Sequence, residues 1–346
     1  MIPLVWIGRR VHWSDVARRA AAVGAASIAA SFAALLLCIV LCAVRWRVLL
    51  RAYGAARLPS VTEALRHMFV GLYFNVMPGG VAGDAVRGYR VREHIGDLTT
   101  SYMILLVDRL AGLVGLLAIA VLAAVLGPPL AVRSVNGAMI AASVLGFAVT
   151  LLAIGLPFLT ARSARARTLV GSVPIVGHRF AALRPPERLD DLLLALALSV
   201  GTQACTVLSI LILLARLAPA ADVLAEARVA PLVVLLVFIP VTPGALGQRE
   251  ALFTEFFGLV GVPAASAVAA SMLSFAVVIG LSAIGGITVA CEKLLSRRGA
   301  SPGGVRPAGR FSRWRRRRRQ RWSRTWRPSR RLGRRGQGLR RPLRAV

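Results

Sequence analysis

Charged residues are absent from five long stretches of this chain. Ala20 to Val44 runs for 25 residues without a charge, Leu110 to Val132 for 23, Gly137 to Ala161 for 25, Leu192 to Ala215 for 24 and Phe256 to Cys291 for 36. A helix needs about 20 apolar residues to cross the hydrocarbon core of a bilayer. A buried helix of a water-soluble protein rarely exceeds about 20 residues and usually keeps one polar face. The pattern predicts an all-α, polytopic membrane helix bundle. Its five full spans are expected at about 20–45, 100–126, 136–160, 190–215 and 264–291.

Two further apolar segments are short and broken. Ala64 to Met77 stops at Pro78-Gly79-Gly80, and Val229 to Thr242 stops at Pro243-Gly244. Each offers about 14 residues, roughly 21 Å of helix, which is short of the hydrocarbon thickness. An interfacial helix, a tilted span and a re-entrant half-helix all fit this length. The breaks resemble each other: Phe74-Asn75-Val76-Met77-Pro78-Gly79-Gly80-Val81-Ala82-Gly83-Asp84 against Phe238-Ile239-Pro240-Val241-Thr242-Pro243-Gly244-Ala245-Leu246-Gly247-Gln248. Each joins a short apolar helix to Pro-Gly, then a further Gly, a polar cluster and a full span. With five spans the breaks are entered from opposite sides, the arrangement of an inverted repeat. Chance likeness in a chain with 32 Gly is the alternative.

Composition agrees with the membrane reading: 57% of residues are hydrophobic and the mean hydropathy is +0.68. The net charge of +30 suggests nucleic acid until its placement is considered. Residues 297–346 hold 20 Arg and no acid, which leaves the body at +10. The chain therefore divides into a transmembrane domain, 1–296, and an Arg-rich tail, 297–346, expected to be disordered. Arg315 to Arg319 with Trp314, Trp322 and Trp326 suit anionic lipid headgroups, at about 1 kcal/mol per basic residue. Specific nucleic-acid binding is not expected. Cys38, Cys42, Cys205 and Cys291 lie in or beside apolar runs, and His12, His67, His94 and His178 are scattered, so neither a metal nor a cofactor is predicted.

Arg placement sets the expected orientation. The 46–99 and 160–189 segments and the tail are rich in Arg and share one side under five spans, taken as the cytoplasmic side of the cell membrane. The N-terminus, with Arg9, Arg10, Arg18 and Arg19, would then lie outside. That is awkward, and one extra span ahead of residue 1 would resolve it.

Three places carry candidate chemistry. In the first, Pro78 ends a helix, Gly79, Gly80 and Gly83 free the backbone, Asp84 suits the N-cap of the next helix, and Arg87 lies one turn later. Exposed N–H groups there with a nearby Arg suit a phosphate; a capped helix-turn-helix with snorkelling Arg residues is the plain alternative. In the second, Asp108 and Arg109 interrupt an apolar run about 14 Å along its helix, and intramembrane charges mark functional sites by default. Adjacent residues point about 100° apart, so each needs another partner, for which Asp84, Arg87 or the second break qualify. A structural buried ion pair is the alternative. In the third, Gln248, Arg249 and Glu250 follow Gly247, with Glu250 in a first turn where a carboxylate suits the helix dipole; a capped interfacial helix is the alternative.

These motifs together resemble the lysylphosphatidylglycerol synthase transmembrane-domain family of flippase-like membrane proteins. The matching features are Arg45-Trp46-Arg47, Asn75 with Pro78-Gly79-Gly80, Gly83-Asp84-Ala85-Val86-Arg87 and Asp108-Arg109-Leu110-Ala111-Gly112, then Pro240, Pro243-Gly244, Gly247, Glu250 and Gly261-Val262. The resemblance spans roughly residues 1 to 295. It implies a lipid-handling protein that moves aminoacylated phosphatidylglycerol or serves polyprenyl-linked glycans, and a family that commonly starts one helix earlier. Two departures bear on the substrate. Ser274 and Phe275 occupy a region where an Arg is often expected, and the second break reads Pro-Gly-Ala rather than Pro-Gly-Gly.

The chain has no soluble aminoacyltransferase domain, so synthesis of the aminoacyl lipid by this chain alone is not expected. The expectation is a lipid transporter whose phosphate site uses Asn75, Gly79, Gly80, Gly83, Asp84, Arg87, Asp108, Arg109, Pro243, Gly244, Gly247, Arg249 and Glu250. An accessory subunit docking a lipid- or glycan-modifying enzyme is the rival, and a membrane-embedded transferase with Asp84 as its candidate group is the third.

Overall fold

The computed structural model describes residues 11–55, 57–76, 82–95, 98–129, 133–172, 185–239, 242 and 245–298. Among them lie eleven helices and no strand. They are α1 (Trp13–Ala22), α2 (Ala25–Ala52), α3 (Val61–Val76), α4 (Ala82–Ile95), α5 (Leu98–Leu126), α6 (Arg133–Arg162), α7 (Ala164–Gly171), α8 (Leu189–Leu217), α9 (Val223–Val237), α10 (Gln248–Gly258) and α11 (Ala264–Arg298). Five of these are long and apolar enough to cross a membrane: within Ala25–Ala52, Thr100–Leu126, Asn136–Arg162, Leu189–Leu217 and Ala264–Leu294. The chain is a multi-pass membrane protein with a polytopic helical bundle.

The elements recur in order. A span, a short helix, a break, a second short helix and a span appear as α2–α5 and again as α8–α11. The two leading spans lie side by side and run in opposite directions. Ser31 Oγ donates to the Ser209 carbonyl at 3.0 Å, Cys38 meets Thr206 at 3.5 Å, Arg45 reaches Ser199 at 3.1 Å and Arg51 pairs with Asp191 at 2.5 Å. As numbers rise along α2 they fall along α8. This antiparallel run agrees with the inverted repeat read from the two Pro-Gly breaks.

Local chemistry explains several boundaries. α3 begins in a capping box: Glu63 N–H donates to Ser60 Oγ at 3.1 Å, and Ser60 N–H donates back to the Glu63 carboxylate at 2.8 Å. That backbone bond holds the Glu63 carboxyl below its ordinary range. Asp222 caps α9 by accepting from Leu224 N–H at 2.9 Å. The cap starts α9 at Val223, six residues before the apolar run, and so brings Glu226 and Arg228 into the helix. The first apolar run also differs from expectation. It is not one helix from residue 20: α1 ends at Ala22, and the span starts at Ala25 after Gly24.

Two apolar cores fill the bundle. One gathers Trp46, Leu49, Leu50, Met68, Ile104, Leu105 and Leu192; the other gathers Leu213, Leu214, Val229, Val233, Phe253, Phe257 and Ala267 to Ala270. Lipid tails are as apolar as these side chains, so helix association depends on close packing and on small residues that permit it. Gly285 shows this best. A Cβ there would lie 2.0 Å from the Phe69 carbonyl oxygen and 3.0 Å from Tyr73 Cβ, so α11 rests on the α3 backbone itself. Cys38, Cys42 and Cys205 are half-buried as small packing residues, whereas Cys291 is exposed, against expectation, because α11 runs on past the apolar stretch to Arg298.

Gly285→Val is expected to lower the melting temperature of the detergent-purified protein, through overpacking worth about 1–3 kcal/mol. Gly155→Ala is the control, since nothing beyond its own turn of helix lies within 4 Å of the added Cβ. An unchanged melting temperature in Gly285→Val would remove the close α3–α11 contact.

Candidate functional site

The first break is folded around a glycine contact. α3 and α4 pack against each other, and Gly83 N–H donates to Asn75 Oδ1 at 3.0 Å across the break. A Cβ on Gly83 would lie 2.0 Å from the Gly71 carbonyl oxygen, and one on Gly71 would lie 2.6 Å from Arg87 Cδ. These absent side chains leave the path along which Arg87 reaches inward. Asp84 is the third residue of α4 rather than its N-cap, because the helix already starts at Ala82.

Asp108 is the centre of the cluster. It is 2% exposed and lies on α5 ten residues after Leu98, roughly 15 Å along the helix. Arg45 Nε donates to Asp108 Oδ1 at 2.9 Å, and Arg87 Nη2 donates to Oδ2 at 3.2 Å. Arg45 also donates to Ser199 Oγ at 3.1 Å and to Thr202 Oγ1 at 3.5 Å. The Arg87 guanidinium lies 4.7 Å over the ring of fully buried Trp46, a cation–π contact. α2 and α4 thus meet on the α5 carboxylate, and α8 joins them through Arg45.

Arg109 points elsewhere, as adjacent helical residues must. Its Nε and Nη2 donate to the two Asp84 oxygens at 2.9 Å and 2.5 Å in a fork. Its side chain is 45% exposed, whereas Asp84 is 19% exposed. Arg87 also approaches Asp84 at 3.7 Å, so the two pairs form one network. Three guanidiniums face two carboxylates, which leaves one positive charge in excess. Arg87 Nε is buried and has no hydrogen-bond partner.

The second break builds a separate and charge-balanced lock. Gly247, at φ 76°, turns the chain into α10. Glu250 Oε2 accepts from Gly247 N–H at 2.7 Å, in the first turn as expected, and its Oε1 accepts from Arg249 at 2.5 Å. Arg249 also donates to Ser271 Oγ at 2.9 Å and lies 4.1 Å over the Phe275 ring. No described hydrogen bond or ion pair joins this lock to Asp108 or Arg109. The structure therefore gathers Asn75, Gly83, Asp84, Arg87, Asp108 and Arg109 in one place, and Gly247, Arg249 and Glu250 in another. Gly79, Gly80, Pro243 and Gly244 lie outside the described residues, as does the Arg-rich tail beyond residue 298.

A family model for the lysylphosphatidylglycerol synthase transmembrane region matches residues 2–286. The chain belongs to this family. No curated protein and no solved structure matches it. The match falls on the transmembrane region of such a synthase, not its catalytic part, and it ties this membrane protein to lipid-related work. Membership accounts for the order of the motifs, but the partners within them come from the geometry. Arg45, noticed in the sequence only as part of the family likeness, is the main partner of Asp108. Ser199 and Thr202 carried no sequence signal, since small hydroxyls are common along spans. His67 and His94, scattered in the sequence, meet edge to face with centroids 6.3 Å apart.

In this lysylphosphatidylglycerol synthase family member, Asp108→Asn is expected to cost about 3–5 kcal/mol, because two buried guanidiniums lose their counter-charge. Adding Arg87→Met should restore part of that loss, since one unbalanced charge goes with it. A double-mutant cycle by thermal unfolding measures the coupling; additive losses would show that Asp108 and Arg87 do not interact.

Proposed function

We propose that this chain moves a phosphate-bearing lipid across the cell membrane, of the aminoacyl-phospholipid or polyprenyl-phosphate type. The observation that carries the reading is the charge excess beside the first break. Three guanidiniums share two carboxylates, and Arg87 keeps a buried N–H without an acceptor. An intramembrane positive charge is costly and draws a counter-ion, and a phosphate oxygen supplies both the charge and the acceptor. Arg109, with 45% of its side chain exposed, is the group a headgroup meets first; Arg87 and Arg45 lie behind it. Gly83 and Gly71 let α4 lie directly on α3, which brings Arg87 to the cluster.

In this reading the Arg51–Asp191 end of the bundle and the tail face the cytoplasm, where anionic headgroups hold the Arg-rich segment. The first break then opens to the cytoplasm and the second to the outside, and movement of the lipid alternates between them. The balanced Arg249–Glu250 lock keeps the second side closed until it is displaced. A second reading has one support: the family model describes a synthase's transmembrane region. On that reading the chain serves as the membrane partner of a separate lipid-modifying enzyme, and a stoichiometric enzyme would co-purify with it.

Reconstitution into vesicles with a labelled anionic phospholipid tests the transport reading. Arg109→Ala is expected to slow translocation about tenfold or more, since a charge-assisted hydrogen bond contributes about 1.5–3 kcal/mol. Asp108→Asn, in the fraction that elutes as folded protein, should be slower still. Wild-type rates in both variants would remove this mechanism.

A further inference from the structure

Glu226 lies on α9, four residues after its cap Asp222. It is 1% exposed, and neither carboxylate oxygen has a hydrogen-bond partner. The nearest basic residue in sequence is committed elsewhere. Arg228 donates to the carbonyls of Gly127 at 2.7 Å and Pro128 at 2.8 Å and to Asn136 Oδ1 at 2.5 Å. A buried carboxylate with no donor cannot keep its charge cheaply, so it takes up a proton instead. Burial raises the Glu226 pKa to about 7, and the like charge of Asp222 adds to the rise.

No described residue in the surroundings offers a donor to Glu226. Among the described residues α9 packs against α5, α8 and α10, shares an apolar core with the start of α11, which carries no charged side chain before Glu292, and is tied to α6 through Arg228 and Asn136. α5 carries no titratable side chain between Arg109 and its end at Leu126. Arg216 near the end of α8 is exposed to the surroundings of the bundle. On α10, Arg249 and Glu250 are bonded to each other, and Glu255 has a contact of its own. Asp222 and Arg228 complete the charged set on the helix and its cap.

We infer that Glu226 is a proton-binding site: it holds a proton while α9 is packed as observed, and releases it when α9 moves and water reaches the carboxylate. The proton passes to bulk water and leaves the carboxylate behind. α9 leads into the second break, so proton release accompanies opening of that half. The site rests on its own geometry; its link to lipid movement rests on the transport reading above.

Infrared titration of the purified wild-type protein and of Glu226→Gln tests the site. A protonated-carboxyl band absent from Glu226→Gln should vanish in the wild type with a midpoint near 7 rather than near the ordinary 4.5. Asp222→Asn keeps a capping side chain but removes the like charge, so its midpoint should fall; this variant serves if Glu226→Gln does not fold. Thermal stability gives a second readout. The folded state holds this proton more tightly than the unfolded chain, so wild-type stability should fall as pH rises from about 4.5 to about 7 and level off above. Glu226→Gln should lack that decline.

A band insensitive to Glu226→Gln, or a midpoint in the ordinary carboxylate range, overturns the inference. In vesicles, translocation should change several-fold across this pH range in the wild type and stay flat in Glu226→Gln. A flat wild-type response overturns the coupling. No lipid movement at any pH, with the infrared band titrating near 7, overturns the transport reading and leaves the proton site supported.

Discussion

A single carboxylate, that of Asp108, sets the terms for the rest of this bundle. A charge placed roughly 15 Å along a membrane helix is tolerated only with a partner. Asp108 has two, Arg45 and Arg87. Each comes from a different element, and Arg45 is itself fixed by Ser199 and Thr202. Lipid provides no hydrophobic drive to bring helices together, so these bonds specify which helices meet and in what register. α2 and α8 are aligned from Ser31 to Arg51 by polar pairs, Arg45–Ser199 among them. The same bonds are unequal in charge, and that inequality is what turns a structural ion pair into a candidate anion site.

Glycine makes the inequality possible. Arg87 reaches Asp108 because Gly71 has no side chain where Arg87 Cδ passes, and α4 folds back on α3 because Gly83 meets the Gly71 carbonyl directly. In the second half the arrangement differs. Arg249 is turned onto Glu250, Ser271 and Phe275 within its own helix and the next span. The family likeness led to an Arg being expected near Ser274 and Phe275. With Phe275 there, the Arg249 guanidinium finds a ring rather than a second positive charge. The two halves share an order of elements but not a charge balance, and among the described residues the excess positive charge lies beside the first break.

The spans and breaks were legible in the sequence because a bilayer imposes length and polarity rules on contiguous segments. Five uncharged runs became five long helices, and the two Pro-Gly segments separated pairs of short ones. Asp108 and Arg109 were legible for the same reason, as charges in an apolar run; so was their need for separate partners, since helical geometry parts neighbours by about 100°. Which partner each takes was not legible. Arg45 sits just past an uncharged run and reads as an interface residue, until the span is seen to continue to Ala52. The extra turns come from packing: Trp46, Leu49 and Leu50 are buried against α5 and α8. The apolar segment legible in the sequence starts at Val229, so the start of α9 behind its cap Asp222, and with it Glu226 and Arg228, lies ahead of that segment.

Glu226 and Arg228 show why that earlier start matters. They lie two residues apart on one helix and are nearly equally buried, yet they do not neutralise each other. Residues two apart on a helix point roughly 200° apart, so each must find its own environment. Arg228 takes the carbonyls at the end of α5 and Asn136 on α6, and so ties α9 to both spans. Glu226 finds nothing, and α9 carries a fixed positive tie on one side and an unpartnered acid on the other. A helix held in this way is stable while the acid is neutral. Once the acid is charged, the packed position loses part of its advantage and the tie at Arg228 becomes the pivot. The buried Asp108 cluster has no such freedom, since its carboxylate is charged and doubly paired. The paired cluster in the first half and the titratable element in the second are therefore consequences of one rule, that a buried charge is either paired or neutralised.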